Sequence, residues 1–252
     1  MFEVLILSFI QGITEFIPIS SSSHLILLSD YFNFENQSLS IDVSLHIGSF
    51  FAIIFYFRKD IVNFYKNKIL FLKLFIASIP VMVIGYMLIK FNLIDQLRNI
   101  KIIGWTTLLF GILLYWSDKS KKINEIDNNL NFRTAIFIGI FQILSLIPGV
   151  SRSGITLTAG RFLEFKREEA AKISFLLSIP TLAAVSFFGI NELLISENIN
   201  FSILNLISIV LSFIFSLITI KYFLKYIRKF SLNLFVIYRI MLGVIILIFS
   251  YL

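Results

Sequence analysis

The chain has 252 residues, 58% of them hydrophobic, with 29 Phe and a mean hydropathy of +0.90; a soluble domain averages roughly 45–50% apolar, so an ordinary soluble globule is excluded. The net charge of +7 belongs with basic loops beside a membrane rather than with a nucleic-acid surface. The absence of Cys excludes disulfides, thiolate catalysis and zinc–thiolate sites.

Apolar segments run at about 2–29, 41–57, 69–89, 102–117, 134–160, 173–190, 202–220 and 233–252. Each is a candidate membrane helix. The first opens with MFEVLILSFIQG, which has no basic n-region and no small-residue cleavage site. It is expected to stay on the mature protein.

That first segment then reads QGITEFIPISSSSH over 11–24. Gln11 and Glu15 lie four residues apart and share a helix face. Pro18 removes a backbone donor and breaks the helix. Ser20 to Ser23 and His24 follow, and serines after a break suit a helix cap. The start of the new half-helix is a site for an anion. An unpaired charge in the bilayer costs roughly 2.5–3.5 kcal/mol or more. Glu15 is therefore expected to have a partner or a chemical task. Either it is protonated and bonded to a neighbouring helix, or it handles protons together with His24.

The segments at 41–57, 69–89 and 102–117 read as plain spans. The fifth, 134–160, is interrupted like the first, by PGVSRSGIT over 148–156. Pro148-Gly149 makes a turn, and Gly permits close backbone approach. Ser151, Ser153 and Thr156 surround Arg152, the deepest fixed cation in the chain. Its guanidinium can hold a phosphate through two parallel hydrogen bonds, or it can pair with Glu15. The last three segments again read as plain spans.

Charge decides the topology. If all eight segments cross, the loops at 58–68, 118–133 and 191–201 hold 8 Lys and Arg, against 11 at 30–40, 90–101, 161–172 and 221–232. No bias results. If the two interrupted segments dip in and return, 16 fall on the side of 58–68, 118–133, 161–172 and 221–232, against only Lys90, Arg98 and Lys101. That split follows the positive-inside rule. The expected fold is all-α and integral to the membrane: six transmembrane helices plus two re-entrant helix-loop-helix segments. Each half then has one dip and three spans, an odd number, so the second half is inverted relative to the first. The single membrane domain, 1–252, divides into repeat one, 1–117, and repeat two, 134–252.

A short internal likeness accompanies this. QGITEFIPIS (11–20) and QILSLIPGVS (142–151) each run from Gln to Ser over ten residues. Each holds an Ile-Pro pair, one position earlier in the second. Dips entering from opposite faces meet near the midplane. One pocket would then hold Glu15, His24, several hydroxyls and Arg152. An anion site beside an acid/base group suits phosphoryl transfer, where positioning and charge stabilisation carry most of the catalysis. A pocket in lipid points to a lipid phosphate or pyrophosphate.

QGITEFIPISSSSHL and PGVSRSGIT together resemble the two signature regions of the undecaprenyl-pyrophosphate phosphatases of the bacitracin-resistance type. SLHIGSFFAI (44–53) and GRFLEFKREEAAKISFLLSIP (160–180) match in style and order, so the resemblance covers nearly the whole chain. It implies hydrolysis of the C55 polyprenyl pyrophosphate to the monophosphate and inorganic phosphate, recycling the lipid carrier for cell-wall synthesis and giving bacitracin resistance. It implies the bacterial cytoplasmic membrane, with the site facing the outer side. Carried over by position, the catalytic residues are Glu15, Ser21, His24 and Arg152. Phosphate binding falls to Ser20, Ser151, Arg152, Ser153 and Thr156. The nucleophile is Ser21, His24 or water, with Ser21 favoured. The expected cofactor is a divalent cation, Mg²⁺ or Ca²⁺, on Glu15 and more weakly Gln11.

Three departures from the family pattern bear on this. Gln11 stands where many members have Glu, which halves a two-carboxylate metal site. SSSSH replaces the common Ser-Ser-Thr-Gly-His. His46 stands where Gln is usual, as a polar wall residue or a packed substitute. The expected partners are the lipid pyrophosphate and the bilayer, with no nucleic acid and a homodimer left open. The competing reading is a polyprenyl-phosphate flippase or transporter, since inverted repeats with broken helices are also a transporter architecture. Transport needs Arg152 and the helix ends but no general acid or base.

Overall fold

The computed structural model describes residues 1–32, 34, 38–64, 68–91, 93–195 and 202–252. Parts of the predicted loops at 30–40, 58–68, 90–101 and 191–201 lie outside the described residues. The first half contains α1 (Phe2–Thr14), α2 (Ser21–Phe32), α3 (Leu39–Tyr56), α4 (Arg58–Phe64), α5 (Lys68–Lys90), α6 (Ile94–Leu97) and α7 (Ile100–Asp118). The second contains α8 (Ile126–Asn129), α9 (Phe132–Ile143), α10 (Arg152–Phe162), α11 (Arg167–Ile195), α12 (Ile203–Lys229) and α13 (Asn233–Tyr251). A short 3₁₀ turn, Leu144–Leu146, follows α9. Among the described residues no strand forms; only an isolated bridge joins Asn124 and Phe165.

Among the described residues six helices are long and apolar enough to span a bilayer: α3, α5, α7, α11, α12 and α13. They are the six segments read as plain spans, and the chain is an all-α integral membrane protein. The two interrupted segments behave differently. At about 1.5 Å per residue, the 13-residue α1 and the 12-residue α9 each reach only about 20 Å. That is short of a hydrocarbon core about 30 Å thick. Burial is inverted relative to a soluble protein: Phe71, Phe187, Met241 and Phe249 face outward, whereas serines and Arg161 and Arg239 lie inside.

Small residues bring the helices together, as expected where lipid supplies no hydrophobic drive between them. Ser49 of α3 meets Ser212 and Ser216 of α12, each at 3.1 Å. Ser212 also donates to the Leu45 carbonyl at 2.7 Å. The two short N-terminal helices of the halves pack in matching ways, α1 on α12 and α9 on α5. Each contact runs through a glycine. A Cβ on Gly12 would lie 2.5 Å from Phe215 Cβ, and one on Gly139 would lie 2.2 Å from the Ala77 carbonyl. Phe16, at the end of the first short helix, packs edge-on against Phe175, which also touches Phe57 and Phe223.

The four loops richest in cations are tied to one another at one end of the bundle. Arg167 grips Asp118 with two hydrogen bonds of 2.6 Å, and Leu232 N donates to Asp118 at 3.1 Å. The fully buried Arg161 adds an ion pair to Asp118 at 3.6 Å. Lys172 pairs with Asp60 at 2.7 Å, and Arg228 with Glu168 at 2.7 Å. Loops 58–68, 118–133, 161–172 and 221–232 therefore share one end.

Candidate active site

Both chain breaks are built the same way. A short helix ends, a proline removes a donor, and a serine with positive φ starts the next helix. Ser20 has φ 75° before α2, and Ser151 has φ 70° before α10. Few non-glycine residues adopt this region, and those that do tend to sit at functional sites. Ser151 Oγ accepts from Gly154 N at 3.1 Å and caps α10. Ser20 Oγ shares hydrogen bonds with Ser22 and Ser23 at 3.3 and 3.0 Å. Gly149 has φ +94°, and a Cβ there would lie 2.0 Å from Thr106 Oγ1.

The breaks touch each other. Arg152 Nη2 donates to Glu15 Oε1 at 2.7 Å, joining residues 137 positions apart. Ser153 Oγ donates to the Ile17 carbonyl at 2.9 Å. Arg239, fully buried on α13, holds both breaks at once. Its guanidinium donates to Pro18 O at 3.2 Å, Val150 O at 3.0 Å, Gly149 O at 2.9 Å and Thr107 O at 3.3 Å. A break leaves backbone carbonyls without helical partners, and in the membrane interior these must be satisfied from elsewhere.

Glu15 is the hub. Its Oε2 accepts from Ser21 Oγ at 2.8 Å and from Gln11 Nε2 at 3.1 Å, while Oε1 takes the Arg152 bond. Gln11 Nε2 also lies 3.1 Å from His46 Nδ1. The amide must turn its NH₂ toward the carboxylate, which leaves Oε1 as a buried acceptor without a partner among the described residues. Glu15, Ser21, Arg152 and His46 line a pocket of about 200 Å³ with Ser20, Ser151 and Gln142. Its walls include Val81 and Thr181, near the middle of α5 and α11, so the pocket lies at mid-depth. His46 is thus a polar wall residue.

The predicted residues divide between the pocket and its surroundings. Glu15, Ser20, Ser21, Ser151 and Arg152 line it, and Gln11 sits directly behind Glu15. Ser153 and Thr156 do not line it. Ser153 is spent on Ile17, and Thr156 Oγ1 bonds Arg152 O at 2.8 Å and Ser174 Oγ at 2.7 Å. Their hydroxyls fix the shape of the second break. His24 is not among the residues lining the pocket, and its ring nitrogens face other partners than Glu15. Its Nδ1 lies 2.6 Å from Ser20 O, and its Nε2 lies 2.6 Å from Tyr238 Oη. A carbonyl can only accept, so Nδ1 carries the proton and Nε2 accepts from the tyrosine. Sequence reasoning missed Arg239, Tyr238 and the pocket position of Gln142. The one available signal for Arg239 was a lone charge inside an apolar segment.

The donor set can be tested against a divalent cation. It offers one carboxylate, the free Gln11 Oε1 and the Ser21 hydroxyl. Among the described residues no group of three or more His, Cys, Asp or Glu gathers anywhere. Such a set fits a hard cation that is held largely by phosphate oxygens, as Mg²⁺ commonly is.

Residues 4–245 match the family described as bacitracin resistance protein BacA. The chain is 52% identical over 250 residues to the undecaprenyl-diphosphatase of Pelagibacter ubique (strain HTCC1062), covering 99% of this chain and 97% of that one. It is 39% identical over 265 residues to the undecaprenyl-diphosphatase of Jannaschia sp. (strain CCS1), covering 100% and 99%. With the undecaprenyl-diphosphatase of Aliivibrio salmonicida (strain LFI1238) it shares 40% over 257 residues, covering 96% and 95%.

Proposed function

The chain belongs to the bacitracin resistance protein BacA family, and from that premise we propose that its mid-depth pocket hydrolyses undecaprenyl pyrophosphate. The products are undecaprenyl phosphate, the carrier reused in cell-wall synthesis, and inorganic phosphate. The observation that carries this reading is the meeting of Glu15, Ser21 and Arg152, from two breaks, around one pocket. The relatives are named as a hydrolase, and none of the names supports the transporter alternative.

Each residue has a task in this reaction. Arg152 holds phosphoryl oxygens; its Nη1 is buried without a partner among the described residues and is free to bind the anion. Ser21 Oγ, already hydrogen-bonded to Glu15, attacks the terminal phosphorus as its proton passes to that carboxylate. The bond from that phosphorus to the bridging oxygen breaks, and undecaprenyl phosphate leaves. The departing phosphate takes that proton from Glu15, and the regenerated carboxylate then takes a proton from a water that attacks the phosphorus. The Ser21 Oγ–phosphorus bond breaks, the serine oxygen takes the proton back and inorganic phosphate is released. The orientation of His24 toward Tyr238 supports Ser21 over His24 as the nucleophile. Mg²⁺ or Ca²⁺, held by Glu15, Gln11 Oε1 and the substrate, would neutralise phosphate charge.

The interrupted segments are read as re-entrant and the halves as inverted repeats. Support comes from the ion pairs that join loops 58–68 and 118–133 to 161–172. A path with all eight segments crossing would put a bilayer between them. The matching packing of α1 on α12 and α9 on α5 supports the repeats. The pocket wall on α11 runs from Thr181 to Val185, away from the basic end. With that end in the cytoplasm by the positive-inside rule, the pocket faces the outer side of the bacterial inner membrane.

The test is phosphate release from undecaprenyl pyrophosphate by the purified protein in detergent, with Mg²⁺, with Ca²⁺ and with chelator. Release that depends on a cation is expected, with a loss of about 100-fold or more in Arg152→Ala. An Arg152→Ala variant as active as the parent would overturn the assignment.

A further inference from the structure

We infer that Gln142 is a substrate-binding residue that donates a hydrogen bond to the pyrophosphate beside Arg152. Gln142 is the penultimate residue of α9 and is fully buried. It lines the pocket, yet neither its Nε2 nor its Oε1 has a hydrogen-bond partner among the described residues. Leaving a buried amide unpaired is destabilising. A side chain that only filled space there would be better as Leu or Met. Its counterpart in the first half is Gln11, nine residues before the positive-φ serine as Gln142 is nine before Ser151. Gln11 has found partners in Glu15 and His46; at the position matching Glu15 the second half has Leu146, which offers none.

The pocket therefore carries two buried donors without acceptors, Arg152 Nη1 and Gln142 Nε2. A diphosphate supplies what both lack, since it is rich in acceptor oxygens and carries several negative charges. The guanidinium takes the charge, and the neutral amide adds a second, directional contact without further cationic repulsion in lipid. The Nε2 donor gains its acceptor only when the anion is bound. The inference rests on the phosphatase reading for its substrate, but its test includes a binding readout besides turnover.

Gln142→Leu and Gln142→Glu separate the possibilities, with thermal unfolding in detergent, with and without inorganic pyrophosphate, read beside phosphate release. For Gln142→Leu the melting temperature without ligand should stay level or rise, because an unpaired buried amide is removed. Its stabilisation by inorganic pyrophosphate should shrink, and kcat/KM should fall by about 10- to 100-fold, the worth of one hydrogen bond to a charged group. Gln142→Glu, which loses the donor and adds charge, should lose at least as much. A Gln142→Leu variant that melts well below the parent and binds pyrophosphate normally would make Gln142 structural and overturn the inference. A Gln142→Glu variant as active as the parent would make it a cation ligand and do the same. Pyrophosphate that stabilises neither parent nor variants also overturns it. Stabilisation of the parent alone, without phosphate release, would uphold Gln142 while the phosphatase reading fails.

Discussion

Glu15 accepts from Gln11, Ser21 and Arg152 at once, and the neighbours on each oxygen set what its substitutions do. Ser21→Ala removes the hydroxyl aimed at that carboxylate. If Ser21 is the nucleophile, phosphate release should drop about 10³-fold or more. Acid-quenched parent protein should carry phosphate on Ser21 by mass spectrometry; near-parental turnover in Ser21→Ala would point to water. Gln11→Glu tests the metal. A second carboxylate one helical turn before Glu15 should lower the half-saturating Mg²⁺ concentration by about tenfold. An unchanged metal requirement would place the cation elsewhere. Glu15 and Arg152 stood out in the sequence, because ionisable groups among apolar residues are conspicuous, whereas Ser21 was separated from its neighbouring serines only by the family resemblance. The direction of His24 was not. Its partner Tyr238 lies 214 residues away on α13, and only the fold brings them together.

The two breaks are the elements on which the site depends, and neither is held by its own residues alone. Arg239 closes four backbone carbonyls from three separate stretches of chain. Arg239→Lys keeps the charge but cannot reach all four. Each buried acceptor left unpaired costs about 1–3 kcal/mol. The variant should melt several degrees lower in detergent and lose phosphate release together with stability; parental stability would show that the breaks hold themselves. Gly149→Ala acts on the same element, since its φ of +94° and the nearby Thr106 hydroxyl leave no room for a methyl group. A loss of about 1–3 kcal/mol in unfolding measurements is expected. Sequence patterns showed the breaks through Pro18, Pro148 and Gly149. They did not show the clamp, whose partners are main-chain atoms that carry no residue identity. Ser153 and Thr156 illustrate the same limit: hydroxyls near Arg152 in sequence turned out to be fastened to Ile17 and Ser174.

For the molecule as a whole, length and apolarity marked eight candidate segments, and the interruptions together with the cation count reduced them to six spans and grouped the loops. The ion pairs Lys172–Asp60 and Arg167–Asp118 then join those loops at one end. Because the chain has no Cys, single cysteines report sidedness without background. Lys119→Cys and Lys229→Cys should resist a membrane-impermeant maleimide applied outside intact cells, whereas Lys101→Cys should react. Outside labelling at Lys119 together with protection at Lys229 would contradict the common basic face.

That the two halves contribute to a single site is tested most directly by phosphate release from undecaprenyl pyrophosphate by Glu15→Ala, Arg152→Ala and the double variant. Groups that act as one unit are not additive. Each single substitution should cost about 100-fold or more in kcat/KM, and the double should be no worse than the poorer single. Losses that multiply in the double variant would mean that Glu15 and Arg152 act separately, and the account of one shared pocket would fail.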